Sequence, residues 1–199
     1  MIIAAIAALI LGILCGALLL PAGASESISA ASDLLLYALM FSVGISVGAN
    51  KLMLRKIKQY NIRVVAIPIG VTIGSLLGGF ACAPILGHSL QTGAAIAGGM
   101  GWYSLSGIMV TELLGAPAGT VAFLSSLLRE VLAFCLIPLL MRRTNAFAAI
   151  ALAGATSEDT TLPVLIRYGG EDVALIAVIN GMLCSAFVPV LINLVCKIG

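Results

Sequence analysis

The stretch Gly98-Gly99-Met100-Gly101-Trp102-Tyr103-Ser104-Leu105-Ser106-Gly107 sets four glycines and two serines in the middle of an otherwise apolar segment. In hydrocarbon, non-helical backbone survives only where it lines a cavity or is buried in protein. The stretch therefore predicts a helix broken at membrane depth, against the blander reading of a glycine-rich packing kink. Its freed amides and carbonyls become ligands. A half-helix starting near Ser106 and Gly107 would aim its positive amino-terminal dipole at a substrate carboxylate.

Composition makes hydrocarbon the solvent. Of 199 residues, 61% are hydrophobic and 9% charged, a balance that a water-exposed surface of this size cannot sustain. A spanning helix takes roughly 20 apolar residues, so the chain has material for about seven hydrophobic segments in one membrane domain spanning residues 1–199. Residues 1–86 read as scaffold-like helices and residues 92–199 as a transport core. The link from Ala22 to Asp33 carries acids and no base, whereas Lys51, Arg55, Lys56, Lys58 and Arg63 crowd one short connection. Basic loops stay on the cytoplasmic side, which puts that connection and the amino terminus in the cytoplasm. A juxtamembrane cluster of this kind is what insertion demands, not a nucleic-acid patch.

Charge also decides how the segments after residue 92 fold. A single crossing by residues 92–113 would put Arg142 and Arg143 outside, against the positive-inside tendency. A re-entrant hairpin removes the conflict: residues 92–101 descend, Trp102 to Ser106 turn, and residues 107–114 climb back. Each arm of about ten residues reaches only about 15 Å, half the hydrocarbon thickness. The pattern recurs after Arg143, where apolar residues 146–153 and 163–168 flank Gly154-Ala155-Thr156-Ser157-Glu158-Asp159-Thr160-Thr161-Leu162. Pro163 suits the first turn of a new half-helix, with Thr160 or Thr161 as its cap. The expected architecture is an all-α integral membrane protein with about five full transmembrane helices and two opposed re-entrant hairpins; seven ordinary spans are the alternative.

The ionisable residues in this apolar chain are functional hypotheses by default. Arg129-Glu130 interrupts the run from Thr120 to Met141, and neighbours about 100° apart on a helix cannot pair with each other. Each needs a partner elsewhere, either a substrate or an inter-helix ion pair. Glu158 and Asp159 need a cation or protons if they lie in hydrocarbon. Glu112 closes the first hairpin, and Asn180 reads as glue between helices. Cys15, Cys82, Cys135, Cys184 and Cys196 are scattered without metal-ligand spacing and read as packing residues. His88 falls in an expected exposed turn. Gly12 and Gly16, Gly44 and Gly48, and Gly70, Gly74 and Gly78 read as packing faces. No HExxH, GxSxG or phosphate loop is present. The sequence points to a transporter and not an enzyme, with no cofactor or metal expected.

The phrases Gly101-Trp102-Tyr103-Ser104-Leu105-Ser106-Gly107, Thr111-Glu112, Leu128-Arg129-Glu130, Ile137-Pro138 and Gly154-Ala155-Thr156-Ser157, with Asp159 and Thr161-Leu162-Pro163, resemble the lysine exporter LysO family in order and spacing. The resemblance extends through Phe41-Ser42-Val43-Gly44-Ile45 and covers nearly the whole chain. It implies export of L-lysine and of toxic lysine analogues across the inner membrane. Longer members of the family carry additional amino-terminal helices, so the resemblance also implies a partner, either a second copy or a small three-helix protein. On this expectation Ser104, Ser106, Gly107, Thr156, Ser157 and Thr160 receive the substrate carboxylate or α-amine. Glu130, assisted by Glu112 or Asp159, takes the side-chain ammonium or a coupling proton, since a carboxylate withdrawn from water holds a proton more readily. Sodium is the other candidate coupling ion. The rivals are a transporter of another small cation and a holin-like pore or scaffold subunit.

Overall fold

The computed structural model describes residues 11, 12, 14, 15, 34, 38, 41, 45 and 63–198, and every regular element among them is a helix. The chain forms two compact units, Met1–Leu39 and Met40–Gly199. In the first, Leu11, Gly12, Leu14, Cys15, Leu34 and Ala38 are helical. Most of the two early apolar runs, the basic connection and the expected orientation of the amino terminus lie outside the described residues. The second unit holds α1 (Arg63–Ile85), α2 (Leu90–Ala97), α3 (Tyr103–Leu114), α4 (Ala116–Arg143), α5 (Ala146–Ala153), a 3₁₀ turn (Gly154–Glu158), α6 (Leu162–Gly169) and α7 (Glu171–Ile198). Three stretches are long and apolar enough to cross a membrane, Val65–Ile85, Ala116–Arg143 and Asp172–Lys197. An all-helical membrane protein is the result.

Small residues decide how the short helices pack. Ser89 caps α2, its hydroxyl accepting from the Thr92 amide. The chain then runs back along α1 with Gly93 against Gly79 and Ala83, close enough that a Cβ at either glycine would strike backbone. Further down, the Thr72 hydroxyl reaches the Met100 sulfur at 3.5 Å. Thr72 lies near the middle of α1, so α2 ends at mid-height. The chain next returns along the first half of α4: Tyr103 meets Phe123 edge to face, Ser106 meets Ser126, and Gly119 leaves room for Thr111. Helices α2 and α3 thus form a hairpin that begins and ends at the same side, with its tip beside the centre of α4.

The second hairpin enters from the other end. Helix α5 runs back along the second half of α4, and Ala149, Ile150 and Ala153 join Ala133, Ile137, Leu165, Val173 and Ala177 in one buried cluster. Helix α6 returns, with Gly169 against Met141 and Val173. Helix α7 passes both tips and reaches the starting side of the first hairpin, where the Gln91 amide donates to the Cys196 carbonyl at 2.9 Å.

Several boundaries differ from the sequence reading. The first break falls on Gly98–Trp102 and not on Trp102–Ser106, because Met100 (φ 45°) and Gly101 (φ 100°) take the left-handed conformations that end one helix and re-aim the next. Helix α3 therefore starts at Tyr103, and Ser106 and Gly107 lie within it. Pro163 does occupy the first turn of α6, and Thr161 holds the cap position, but its hydroxyl donates to the Thr156 carbonyl instead of capping. His88 is exposed in the turn before α2. Among the described residues, Gly70, Gly74 and Gly78 face open space, a Cβ on any of them meeting nothing within 4 Å.

Candidate functional site

The two breaks meet. The Ala155 amide donates to the Met100 carbonyl at 3.1 Å, joining one tip to the other near the middle of α4. Glycine makes the approach feasible: a Cβ on Gly154 (φ 63°) would stand 2.5 Å from the Met100 oxygen and 2.9 Å from Arg129 Nη2. Helix α7 fixes the second tip from behind. Asn180 Nδ2 donates to the Gly154 carbonyl and to Ser157 Oγ, both at 3.0 Å, and the Ser157 hydroxyl reaches the Ala177 carbonyl at 2.8 Å. Asn180 is therefore the inter-helix glue its setting predicts.

Arg129 and Glu130 leave α4 in different directions and make no ion pair with each other. Arg129 Nε donates to the Leu152 carbonyl (3.2 Å), Nη2 to the Ala151 carbonyl (3.3 Å) and Nη1 to Ser75 Oγ (3.0 Å). Two of these acceptors are carbonyls in the last turn of α5, the negative end of that helix. Glu130 is 1% exposed, and its carboxylate oxygens are in no ordinary hydrogen bond, the Thr160 side chain being the hydrogen-bonding group in reach. Thr160 and Asp159 from the second break and Tyr103 from the start of α3 lie within its electrostatic reach.

The other expected site residues divide between the tips and the packing. Ser106 and Thr156 are buried; the Ser106 hydroxyl pairs with Ser126 Oγ at 3.3 Å, and Thr156 donates to the Ala153 carbonyl at 2.9 Å. Ser157 is committed to backbone, and Gly107 seats the Phe123 side chain. Asp159 is exposed and accepts from the Thr160 amide and hydroxyl. Ser104 is exposed on the first turn of α3. Glu112 lies at the far end of α3, about 13 Å along the axis from its first turn at 1.5 Å per residue. Glu158, which faces α7, accepts from the Ser185 hydroxyl at 2.7 Å.

Between α1, α2, α4 and α5 opens a largely apolar cavity of about 1200 Å³, with Gly70, Gly74 and Gly78 on one wall and Ser75, Ser126 and Arg129 as polar points. Among the described residues no three His, Cys, Asp or Glu side chains gather as a metal site. The arrangement offers a buried unpaired acid on one face of α4 and a cation over a cavity on the other. Tyr103 and the cavity escaped sequence reasoning. Arg129 was visible there as a mid-helix charge, although its partners were not.

A family model described as Lysine exporter LysO matches residues 6–196. Lysine exporter LysO of Escherichia coli is 44% identical over 162 residues, which cover 81% of this chain and 54% of that protein. A putative lysine exporter of Haemophilus influenzae is 36% identical over 159 residues, covering 79% of this chain and 80% of that protein. The chain thus spans about half the length of the Escherichia coli relative. No solved structure matches.

Proposed function

The chain belongs to the lysine exporter LysO family, a family of transporters and not of enzymes, and on that premise we propose that it exports L-lysine and toxic lysine analogues across the bacterial inner membrane in exchange for protons. One observation carries the reading: Glu130 is buried at the centre of α4, beside two facing helix breaks, with no cationic partner among the described residues and the Thr160 side chain as the hydrogen-bonding group in reach. A charge there costs at least about 2.5 kcal/mol on insertion scales, and a carboxylate that alternates between a proton and an ammonium group has a use for that position. Asp159, Thr160 and Tyr103 are the groups placed to share the cation with it. Ser104 stands on the first turn after the break, where an α-amine or carboxylate could be met. Ser106, Gly107, Thr156 and Ser157 shape the tips, and Glu112 stands at the mouth of the first hairpin.

In this reading the two hairpins are re-entrant, residues 87–91 face outside, and residues 142–145 face the cytoplasm. The working unit is a second copy or a small three-helix partner together with this chain, in a single transport domain. Counterflow in proteoliposomes loaded with labelled lysine, ornithine or arginine tests it. Saturable exchange led by lysine, with proton movement in the opposite direction, is expected. Preference for ornithine or arginine would leave a transporter of another small cation, sodium dependence would replace the coupling ion, and non-saturable leakage would mean a pore.

A further inference from the structure

We infer that Arg129 anchors the carboxylate of the transported amino acid at the wall of the glycine-lined cavity. The inference deepens the transport reading and rests on it. Three observations carry it. Guanidinium has five N–H donors and keeps its charge at any physiological pH. Arg129 spends three donors, all on neutral acceptors: two carbonyls of α5 and the Ser75 hydroxyl. Two N–H groups remain, and among the described residues no carboxylate pairs with the charge. A cation in apolar surroundings is stable only with a counter-charge, and the negative end of α5 supplies a partial one.

The second observation is the space. Arg129 lies on the wall of a cavity of about 1200 Å³, which exceeds the volume of an amino acid several times, and Ser75 and Ser126 are among the few other polar groups there. The glycines at 70, 74 and 78 keep the opposite wall bare. The third is the state of the groups expected to receive the carboxylate. The hydroxyls of Thr156 and Ser157 are donated to backbone carbonyls, and Ser106 is paired with Ser126. An incoming carboxylate finds charged free donors on the guanidinium, none on Thr156 or Ser157, and at most one neutral O–H from the Ser106–Ser126 pair. Arg129 then meets the carboxylate on the cavity side of α4, while Glu130 stands on another face of the helix and does not line the cavity.

The test pairs each amino acid with its amide, which lacks the anionic carboxylate. Calorimetric titration of the purified protein in lipid nanodiscs should show L-lysinamide binding roughly tenfold or more weaker than L-lysine, the scale of a charge-assisted hydrogen-bonded contact. Arg129→Gln should bring lysine down to the level of lysinamide while lysinamide binding stays unchanged. Equal binding of lysine and lysinamide by the unaltered protein overturns the inference and leaves lysine transport standing. A loss common to both ligands in Arg129→Gln also overturns it, since that marks a structural clamp on α5. Should Arg129→Gln fail to fold, Arg129→Lys replaces it: it keeps the charge and loses the two-pronged fork, and it should narrow the gap between lysine and lysinamide, an unchanged gap overturning the inference. If arginine or ornithine binds in place of lysine, the lysine reading falls and the same comparison with argininamide or ornithinamide settles Arg129. Binding of chloride with none of the amino acids overturns both.

Discussion

At the scale of the residue, Glu130 separates two roles that predict opposite outcomes. An acid engaged in an ion pair cannot be neutralised without stranding its mate, at about 3–5 kcal/mol. Arg129 turns to α5 and Ser75, and Arg167 is exposed at the end of α6 beside Tyr168. With no mate to strand among the described residues, Glu130→Gln should keep the protein folded, at equal or higher melting temperature in detergent, and abolish lysine efflux from vesicles. A fall in stability of several kcal/mol would reveal a hidden partner, and normal efflux would remove Glu130 from the site. The isolation of these two charges was legible in the sequence, because adjacent helical residues diverge by about 100°. The partners of Arg129 were not: carbonyls of a helix some 22 residues on carry no signature in side-chain identity.

At the scale of the element, the breaks announced themselves because glycine and polar residues stand out against apolar neighbours. Their exact turning points did not, since the left-handed turn begins on Met100, a residue type with no preference for it. Glycines that share a positive φ are nevertheless unequal. Gly154→Ala adds a clash with the Met100 carbonyl to the backbone strain, whereas Gly170→Ala (φ 79°, ψ −179°) meets nothing within 4 Å and bears strain alone, about 1–3 kcal/mol. Gly154→Ala should lower the melting temperature clearly more than Gly170→Ala and should impair export; equal effects would mean the tips do not need their close approach. Gly74→Leu tests the cavity. Its wall position is open, so the leucine should be accommodated with little change in stability and should slow lysine efflux by filling the space. Unimpaired efflux would place the substrate path elsewhere.

At the scale of the whole molecule, the pairing of each hairpin with one end of the long helices converts charge distribution into topology. Single-cysteine variants in a background without the native cysteines should label from outside at His88→Cys and from the cytoplasm at Thr144→Cys. External labelling at residue 144 would turn both hairpins into crossings. The all-helical fold class was readable from hydropathy, whereas the cavity arises only when α1, α2, α4 and α5 are brought together in space. The bond from the Ala155 amide to the Met100 carbonyl has a kinetic consequence. It is a backbone hydrogen bond between segments distant in the chain, so any excursion that parts the hairpins must break it without unfolding a helix. Deuterium uptake at that one amide is then a clock for the transport cycle. Lysine supplied on both sides of the membrane, so that exchange runs without net flux, should quicken it, while amides within α7 keep their pace. A clock indifferent to lysine would mean the tips stay joined as substrate passes.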